Sequence, residues 1–385
     1  MQRLLSVFLL LASSQAFGAY AYNRRIAIDY TKCGGASALS NFPVLVSISH
    51  TTFKTVANGG HINNTVTQSG GNSVTMPTDM MFTSDSRGTA KVPWEVEAYD
   101  GSNGILIAWV KISSISCTAD TPFYVFYGDP GVTTQQSTGS YSPANVWDSS
   151  FGGVWHLSDP TNPIGSSGAN NGVNINVTAA AGEVAGAGAF NGSSTWITVN
   201  DSASLDPSSV TASAWVKLTS LANDYSAVIH KGSSGQYFEF FVKSNGTLAV
   251  YLIASGGAVN YDGSGSHILT TGTWYHLSFT YDATTGLNAY VNGALDKSIG
   301  AQGTLASTAP MVLSIGRDSV TAGRVMNGLI DEPRVSSVAR SANWLATEYN
   351  NQQSPGNIGA NGFLKYGPEP VGGTTGVRRR VVIGE

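Results

Sequence analysis

The sequence predicts an all-β protein: an N-terminal β-sandwich-like domain followed by a second β-sandwich or jelly roll. Three observations carry this expectation. The 385 residues exceed one core of the usual size and suit about two domains of roughly 150 to 200 residues each. Apolar residues come in short alternating runs separated by Gly, Asn, Ser and Pro, which is the strand-and-turn signature. Charged residues make up only 11% of the chain, against about 25% in an average soluble domain, while glycine reaches 45 residues. That composition is the profile of an extracellular β protein.

The start of the chain sets the expected compartment. Arg3 is followed by the apolar run Leu4 to Ala12, then by the small-x-small sites Ala16-Phe-Gly18 and Ala19-Tyr-Ala21. This predicts a signal peptide over residues 1–21, too short to span a bilayer, and a secreted mature protein. The net charge of −4 provides no basic field for nucleic acid or an anionic membrane. Two cysteines, Cys33 and Cys117, stand 84 positions apart. In an oxidising compartment they are expected to form a disulfide that stabilises by roughly 4 kcal/mol on the chain-entropy model; two free buried thiols are the alternative.

Strands are expected at Arg25–Tyr30, Phe42–Ile48, Trp94–Tyr99, Ile105–Ile112 and Pro122–Tyr127. In the last, Phe123, Val125 and Tyr127 alternate with Tyr124 and Phe126, so both faces are apolar, as in a strand buried between two layers. Residues 22–129 form the first domain. Residues 130–146, with turn chemistry at Asp129-Pro-Gly131 and no periodicity afterwards, read as a short linker.

The second domain, 147–354, repeats the pattern. Val210, Ala212, Ala214, Val216 and Leu218 share one face of a strand, with Thr211, Ser213, Trp215 and Lys217 on the other. Further strands are expected at Tyr237–Lys243, Thr247–Ile253, Trp274–Tyr281, Leu287–Asn292 and Met311–Ile315. Asn191-Gly192, Asn245-Gly246 and Asn292-Gly293 supply residues that tolerate the positive φ of tight turns. One helix is predicted over Ser341 to Asn350, with Ser341 as its cap. Residues 355–385 lose periodicity and are expected to be a flexible tail, in which Arg378 to Arg380 are either a solvated end or a docking patch for an acidic partner.

Two resemblances follow from these motifs. Arg25-Ile26, Phe42-Pro-Val-Leu-Val46, Asp79-Met-Met-Phe-Thr83, Pro93-Trp-Glu-Val-Glu-Ala-Tyr-Asp100, Ala108-Trp-Val-Lys111 and Tyr124-Val-Phe-Tyr-Gly128 stand in the order seen in the bacterial domain-of-unknown-function 2341 family, which residues 22–129 resemble. That likeness implies no activity. Val154-Trp-His-Leu157, Ala189-Phe-Asn-Gly192, Ala212-Ser-Ala-Trp-Val216, Thr273-Trp-Tyr-His-Leu277, Ala289-Tyr-Val-Asn-Gly293 and Gly328-Leu-Ile-Asp-Glu-Pro-Arg-Val335 resemble a concanavalin A-like jelly roll of the laminin-G-like kind. This implies a fold that hosts lectins, enzymes and spacers alike.

Asp331 and Glu332 close the second domain. With Asn191, and with Asn200 and Asp201 nearby in sequence, they are candidate calcium donors; in some jelly rolls the Asn191 position carries an aspartate that helps bind the ion. Alternatively Asp331 caps a turn and Glu332 pairs with Arg334 or Arg317. Pro333, lacking an amide donor, belongs at an edge or a bulge. Tyr225, Tyr237, Tyr261 and Trp196 are loop-adjacent aromatics on which a sugar ring can stack. No Glu-x-Asp-x-x-Glu set, H-E-x-x-H or G-x-S-x-G is present, so no catalytic residue is assigned. The expected function is a secreted, non-catalytic binding protein for a glycan or cell-surface component. Its rivals are a structural or adhesive component of an extracellular or envelope assembly and, more remotely, a glycoside hydrolase.

Overall fold

The structure, a computed structural model, describes residues 20–369 except Asn72 and Ser234, with the backbone alone at Gln236. Nearly all of the expected signal peptide lies outside this range, as do Arg378 to Arg380. Among the described residues there are strands, short 3-10 turns and one α-helix, Ala342–Gln353. Among the described residues no helix is long and apolar enough to cross a membrane.

The first domain packs a four-stranded sheet, ordered Leu364–Tyr366, Tyr22–Ile28, Thr121–Tyr127 and Met80–Thr83, against a three-stranded one, ordered Leu39–Ser49, Ile105–Ile115 and Trp94–Asp100. Strand alternation delivers Ile26, Ile28, Val44, Val46, Trp94, Phe123 and Val125 to the shared core. Phe126 is also buried, on the opposite face of its strand, although Tyr124 is only half-buried.

The expectation of a flexible tail from residue 355 is corrected as far as 369. Leu364–Tyr366 pairs antiparallel with Tyr22–Ile28, and Phe363 and Leu364 are buried. Three residues are too few to show periodicity, and the strand exists because its partner's edge supplies the hydrogen bonds. The linker is likewise laid against the first domain: Val132 O accepts from Thr78 Oγ1 at 2.8 Å, and Gln135 Oε1 accepts from Ser69 N at 2.7 Å.

The second domain stacks two antiparallel sheets. Seven strands run in the order Gly172–Ile175, Trp196–Val199, Leu313–Ile315, Ser226–Ser233, Gln236–Val242, Leu248–Ala254 and Gly257–Asp262. The other sheet runs Thr178–Ala181, Gly186–Asn191, Asn327–Ser336, Val210–Leu218, Trp274–Asp282, Gly286–Val291 and Ala294–Ile299, with Phe151–Val154 also paired to Asn327–Ser336. Val210, Ala212, Ala214, Val216 and Leu218 point into the core as expected. Their alternates Thr211, Ser213 and Trp215 are buried as well, because the helix and the first domain cover that face. Of the three Asn-Gly turns only Asn292-Gly293 has positive φ at both residues, 51° and 72°, the pattern of a tight primed hairpin.

Cys33 and Cys117 form the disulfide, with Cα atoms 5.6 Å apart. The helix begins where Ser341 Oγ accepts from Trp344 N at 3.1 Å. It belongs in sequence to the second domain, yet Trp344 packs on Phe42 with ring centroids 4.7 Å apart. Asn351 accepts from Leu45 N at 2.7 Å and donates to Leu45 O at 3.0 Å, closing the free edge of Leu39–Ser49. Asn351→Leu is therefore expected to strand two buried backbone groups and lower stability by roughly 2 kcal/mol, as read from chemical denaturation.

Candidate functional site

Two polar constellations stand out, one in the seam between the domains and one on the outward face of the seven-stranded sheet. The seam is organised by a bulge in Asn327–Ser336. Ser213 lies opposite Arg334 and Trp215 opposite Asp331, so Glu332 and Pro333 together face Ala214. Glu332 has φ of +52°, which is uncommon for a residue with a side chain. Pro333 thus occupies a bulge, as its missing amide requires, and its carbonyl accepts from Trp155 N at 3.1 Å. In a regular strand Glu332 would point into the core. The bulge turns it to the same side as Asp331 and Arg334.

There Glu332 accepts from His156 Nδ1 and from Arg334 Nη2, both at 2.5 Å. Arg334 Nη1 reaches Glu348 Oε1 at 3.0 Å, and its guanidinium lies 4.4 Å from the Trp109 ring centre and 4.9 Å from that of Trp147. From the first domain, Glu95 accepts from Trp147 Nε1 at 3.0 Å and Ser166 Oγ at 2.8 Å, and Glu97 accepts from Trp109 Nε1 at 2.8 Å. Asp331 caps the turn before Gly186–Asn191, accepting from Glu183 N at 2.9 Å and Val184 N at 2.8 Å. A cavity of about 330 Å³ at this seam is lined by Glu97, Tyr99, Ser158 and Asn162.

Burial raises the Glu97 carboxyl well above its ordinary range, and the charge of Glu332 adds to the effect. Asp331 is raised for the same two reasons. Burial opposes charge on His156 too, but the carboxylates of Glu332, Glu97 and Glu95 outweigh it and raise its pKa well above 6.5. Glu332 is held low because His156 and Arg334 overcome its burial. Burial likewise works against Glu348, yet Arg334 and His276 bring it down to about 2.

The signs then fix the pH response. Glu348 is depressed in the folded state, so its contribution is complete above about 4.5 and is lost as pH falls towards about 2. His156 is raised, so its contribution is complete below about 6.5 and is lost as pH rises through its folded value. Glu97 and Asp331, raised acids, also favour the folded state at low pH and lose that effect as pH rises. The guanidinium chloride midpoint of a Glu348→Gln variant is expected to fall less between pH 4.5 and 2 than that of the unaltered protein.

The second constellation follows from strand alternation in Gln236–Val242 and Leu248–Ala254. Phe238, Phe240, Leu248, Val250 and Leu252 enter the core. Tyr237, Glu239 and Phe241 face outward with Tyr251, and the ladder sets His230, Glu239, Tyr251 and Asn260 side by side. Glu239, Tyr251 and Asn260 of this row floor a cleft of about 500 Å³, walled by Asp262, Thr321 and Arg324, with His230 buried beneath it. Arg324 lies 4.6 Å from the Tyr225 ring centre and donates to Asp318 Oδ2 at 3.2 Å. Asp262 accepts from Lys243 Nζ at 2.6 Å and Tyr225 Oη at 3.2 Å. Tyr225 is held at φ of +56°, a second left-handed residue at a polar site.

Of the aromatics expected to stack sugars, Tyr237 lines this cleft and Tyr225 supports it. Trp196 is half-buried beneath Arg317, 4.1 Å from its ring centre, and lines an adjoining cleft of about 320 Å³. Tyr261 is corrected: it is 1% exposed, packed in the core, with its hydroxyl donating to Asp296. The expected calcium set is also corrected. Asn191 pairs with Asn327, four residues and roughly 13 Å along the strand from Asp331, and its exposed side chain accepts from Ser193 N and Ser194 N. Asp331 and Glu332 are buried in the seam, so the three do not meet. Glu239, Tyr251, Asn260, Asp262 and Arg324 are additions to the site. Their signal in the sequence is the alternation that places Tyr237, Glu239 and Tyr251 on the side opposite the core phenylalanines.

Residues 191–346 match the family described as the concanavalin A-like lectin/glucanases superfamily. This stretch is a concanavalin A-like domain. Both walls of the cleft, from Tyr225 to Arg324, lie inside it, and the buried seam joins it to the domain before. The resemblance of residues 22–129 rests on its motifs alone. Among solved structures, the chain is similar to domain 4 of AbnA, a GH43 extracellular arabinanase from Geobacillus stearothermophilus, in complex with arabinotriose. The identity is 19%, over 52% of this chain and 97% of that one, with a TM-score of 0.44. It is also similar to the binding domain of Paraclostridial Mosquitocidal Protein 1, at 14% identity over 52% of each chain and a TM-score of 0.43. For the botulinum neurotoxin serotype G binding domain the identity is 17%, over 52% of this chain and 50% of that one, with a TM-score of 0.42. The chain spans about half the length of those two binding domains. A search of curated protein sequences finds no match.

Proposed function

We propose that the protein is a secreted, non-catalytic binding protein that takes a carbohydrate of a cell surface or extracellular matrix in the cleft of its concanavalin A-like domain. The observation that carries this is the outward row on the seven-stranded sheet. The half-exposed rings of Tyr237 and Tyr251 stand beside the exposed polar groups of Asn260 and Asp262 and the guanidinium of Arg324. Rings offer the flat apolar face that a sugar's C–H groups cover, and the amide, carboxylate and guanidinium satisfy its hydroxyls. Asp262 is engaged by Lys243, which suits it to accepting hydrogen bonds as a fixed carboxylate.

Binding is tested with the full chain on immobilised polysaccharides and a glycan array. Tyr237→Ala and Tyr251→Ala are each expected to weaken binding about tenfold, on the order of 1.4 kcal/mol. Retention of full affinity by the double variant sinks the cleft as the site. Release of reducing sugar that disappears in Glu239→Gln would replace binding with hydrolysis.

A further inference from the structure

We propose that His230, Glu239 and Asp318 form a binding site for one divalent transition-metal ion of the zinc type at the floor of this cleft. The three come from separate elements: His230 from Ser226–Ser233, Glu239 from the neighbouring Gln236–Val242, and Asp318 from the loop after Leu313–Ile315. His230 Nε2 lies 3.1 Å from Glu239 Oε1 and 3.3 Å from Asp318 Oδ1, and one ligand atom from each residue lies within 4.8 Å of the others. Atoms each about 2.1 Å from a shared ion are separated by about 3.0 Å along an octahedral edge and about 3.4 Å along a tetrahedral one. The two measured separations fall inside that interval.

The hydrogen bonding supports an ion over a simple ion pair. His230 is fully buried, and its Nε2 has no hydrogen-bond partner although two carboxylate oxygens are close by. Neither oxygen lies where an Nε2 proton would point. The other ring nitrogen, Nδ1, is 3.1 Å from Ser319 Oγ, an acceptor that would hold the proton on Nδ1 and leave the Nε2 lone pair facing the carboxylates. The Ser319 amide also donates towards Nδ1, but at 3.5 Å it is at the outer limit of a hydrogen bond, and the shorter contact to Oγ is the stronger influence on the tautomer. Asp318 Oδ1 is positioned by Val320 N at 2.7 Å and Thr321 N at 2.9 Å, with Arg324 on its other oxygen.

One imidazole and two carboxylates suit zinc, cobalt or nickel better than calcium, which takes six to eight oxygens. Three protein ligands leave a coordination position, and Glu239 lines the cleft from which an ion or a further ligand would enter. The seam triad of Glu97, His156 and Glu332 differs in kind. There both ring nitrogens of His156 are hydrogen-bonded to carboxylates, Nδ1 to Glu332 and Nε2 to Glu95, so neither is left without a partner.

The test needs no glycan. Metal-stripped full chain is titrated with Co²⁺, read by its visible absorption, and with Zn²⁺ by calorimetry and displacement of Co²⁺. One ion per chain is expected, with affinity lowered at least tenfold in Glu239→Gln and Asp318→Asn, and in Ser319→Ala through the tautomer of His230. His230→Ala is expected to lose the Co²⁺ band, with far-UV circular dichroism checking its fold. Should that variant fail to fold, Glu239→Gln, altered at the cleft surface, carries the decision. Absence of binding to the unaltered chain overturns the proposal. So does binding that Glu239→Gln leaves unchanged or that Glu97→Gln abolishes.

Discussion

Arg334→Met is expected to lower the free energy of unfolding by about 3–5 kcal/mol, the largest single effect we expect of a substitution in this chain. The guanidinium is 3% exposed and bridges Glu332 at 2.5 Å and Glu348 at 3.0 Å. Methionine fills much of the same space against Trp109 and Trp147, so the loss is mainly electrostatic rather than a cavity. It leaves two buried carboxylates, with only the imidazoles of His156 beside Glu332 and His276 beside Glu348 to compensate. The cost arises from stranding charge, so Arg334→Met combined with Glu332→Gln and Glu348→Gln should recover part of it. Denaturant titration of the three proteins decides this. A loss below about 1 kcal/mol in the single variant would mean that water reaches the seam and screens it. The exposed Arg87→Ala, by contrast, should stay within about 0.5 kcal/mol of the parent.

The seam also explains what alternation made legible and what it did not. Val210–Leu218 is found with the bounds its pattern predicts, since Val210, Ala212, Ala214, Val216 and Leu218 need one buried face and nothing more. The helix begins at its expected cap for a similarly local reason. Asp331 and Glu332 are different. As an extended pair they would project to opposite faces, and only the bulge at Pro333 puts both into one buried layer. Pro333 signalled an irregularity, but its consequence depends on His156, some 176 positions earlier, and on Glu97 from another domain. Asp331 as a turn cap and Glu332 paired with Arg334 were one of two readings open from the residues, and the geometry shows that one. Glu239 stands in the sequence as a lone acid among phenylalanines, in Phe238-Glu-Phe-Phe241. Its neighbours His230 and Asp318 arrive through a ladder pairing and a distant loop, neither of which has a local pattern. Leu364–Tyr366 has no local signature because a three-residue strand exists only where another edge receives it.

Replacing Cys33 and Cys117 together with serine is expected to lower stability by roughly 4 kcal/mol, as the unfolded chain regains the freedom of an 84-residue loop. A second consequence comes from where the bridge sits. The loop around Cys33 clasps the helix: Gly34 N donates to Thr347 Oγ1 at 2.9 Å, Asn350 Nδ2 to Lys32 O at 2.9 Å, and Asn343 Nδ2 to Ser37 O at 2.6 Å. A side chain at Gly34 would meet Ala346 Cβ at 2.4 Å, so loop and helix are in direct contact. Cys117 anchors that clasp to the end of Ile105–Ile115, whose Trp109 packs against the seam. The bridge therefore connects the first domain to the helix that carries Glu348 and Asn351. Hydrogen exchange separates the two effects. If chain entropy alone acts, exchange through global unfolding accelerates everywhere by the same factor. If the clasp also loosens, the amide of Gly34 exchanges faster than that shared factor allows, while amides of the seven-stranded sheet do not.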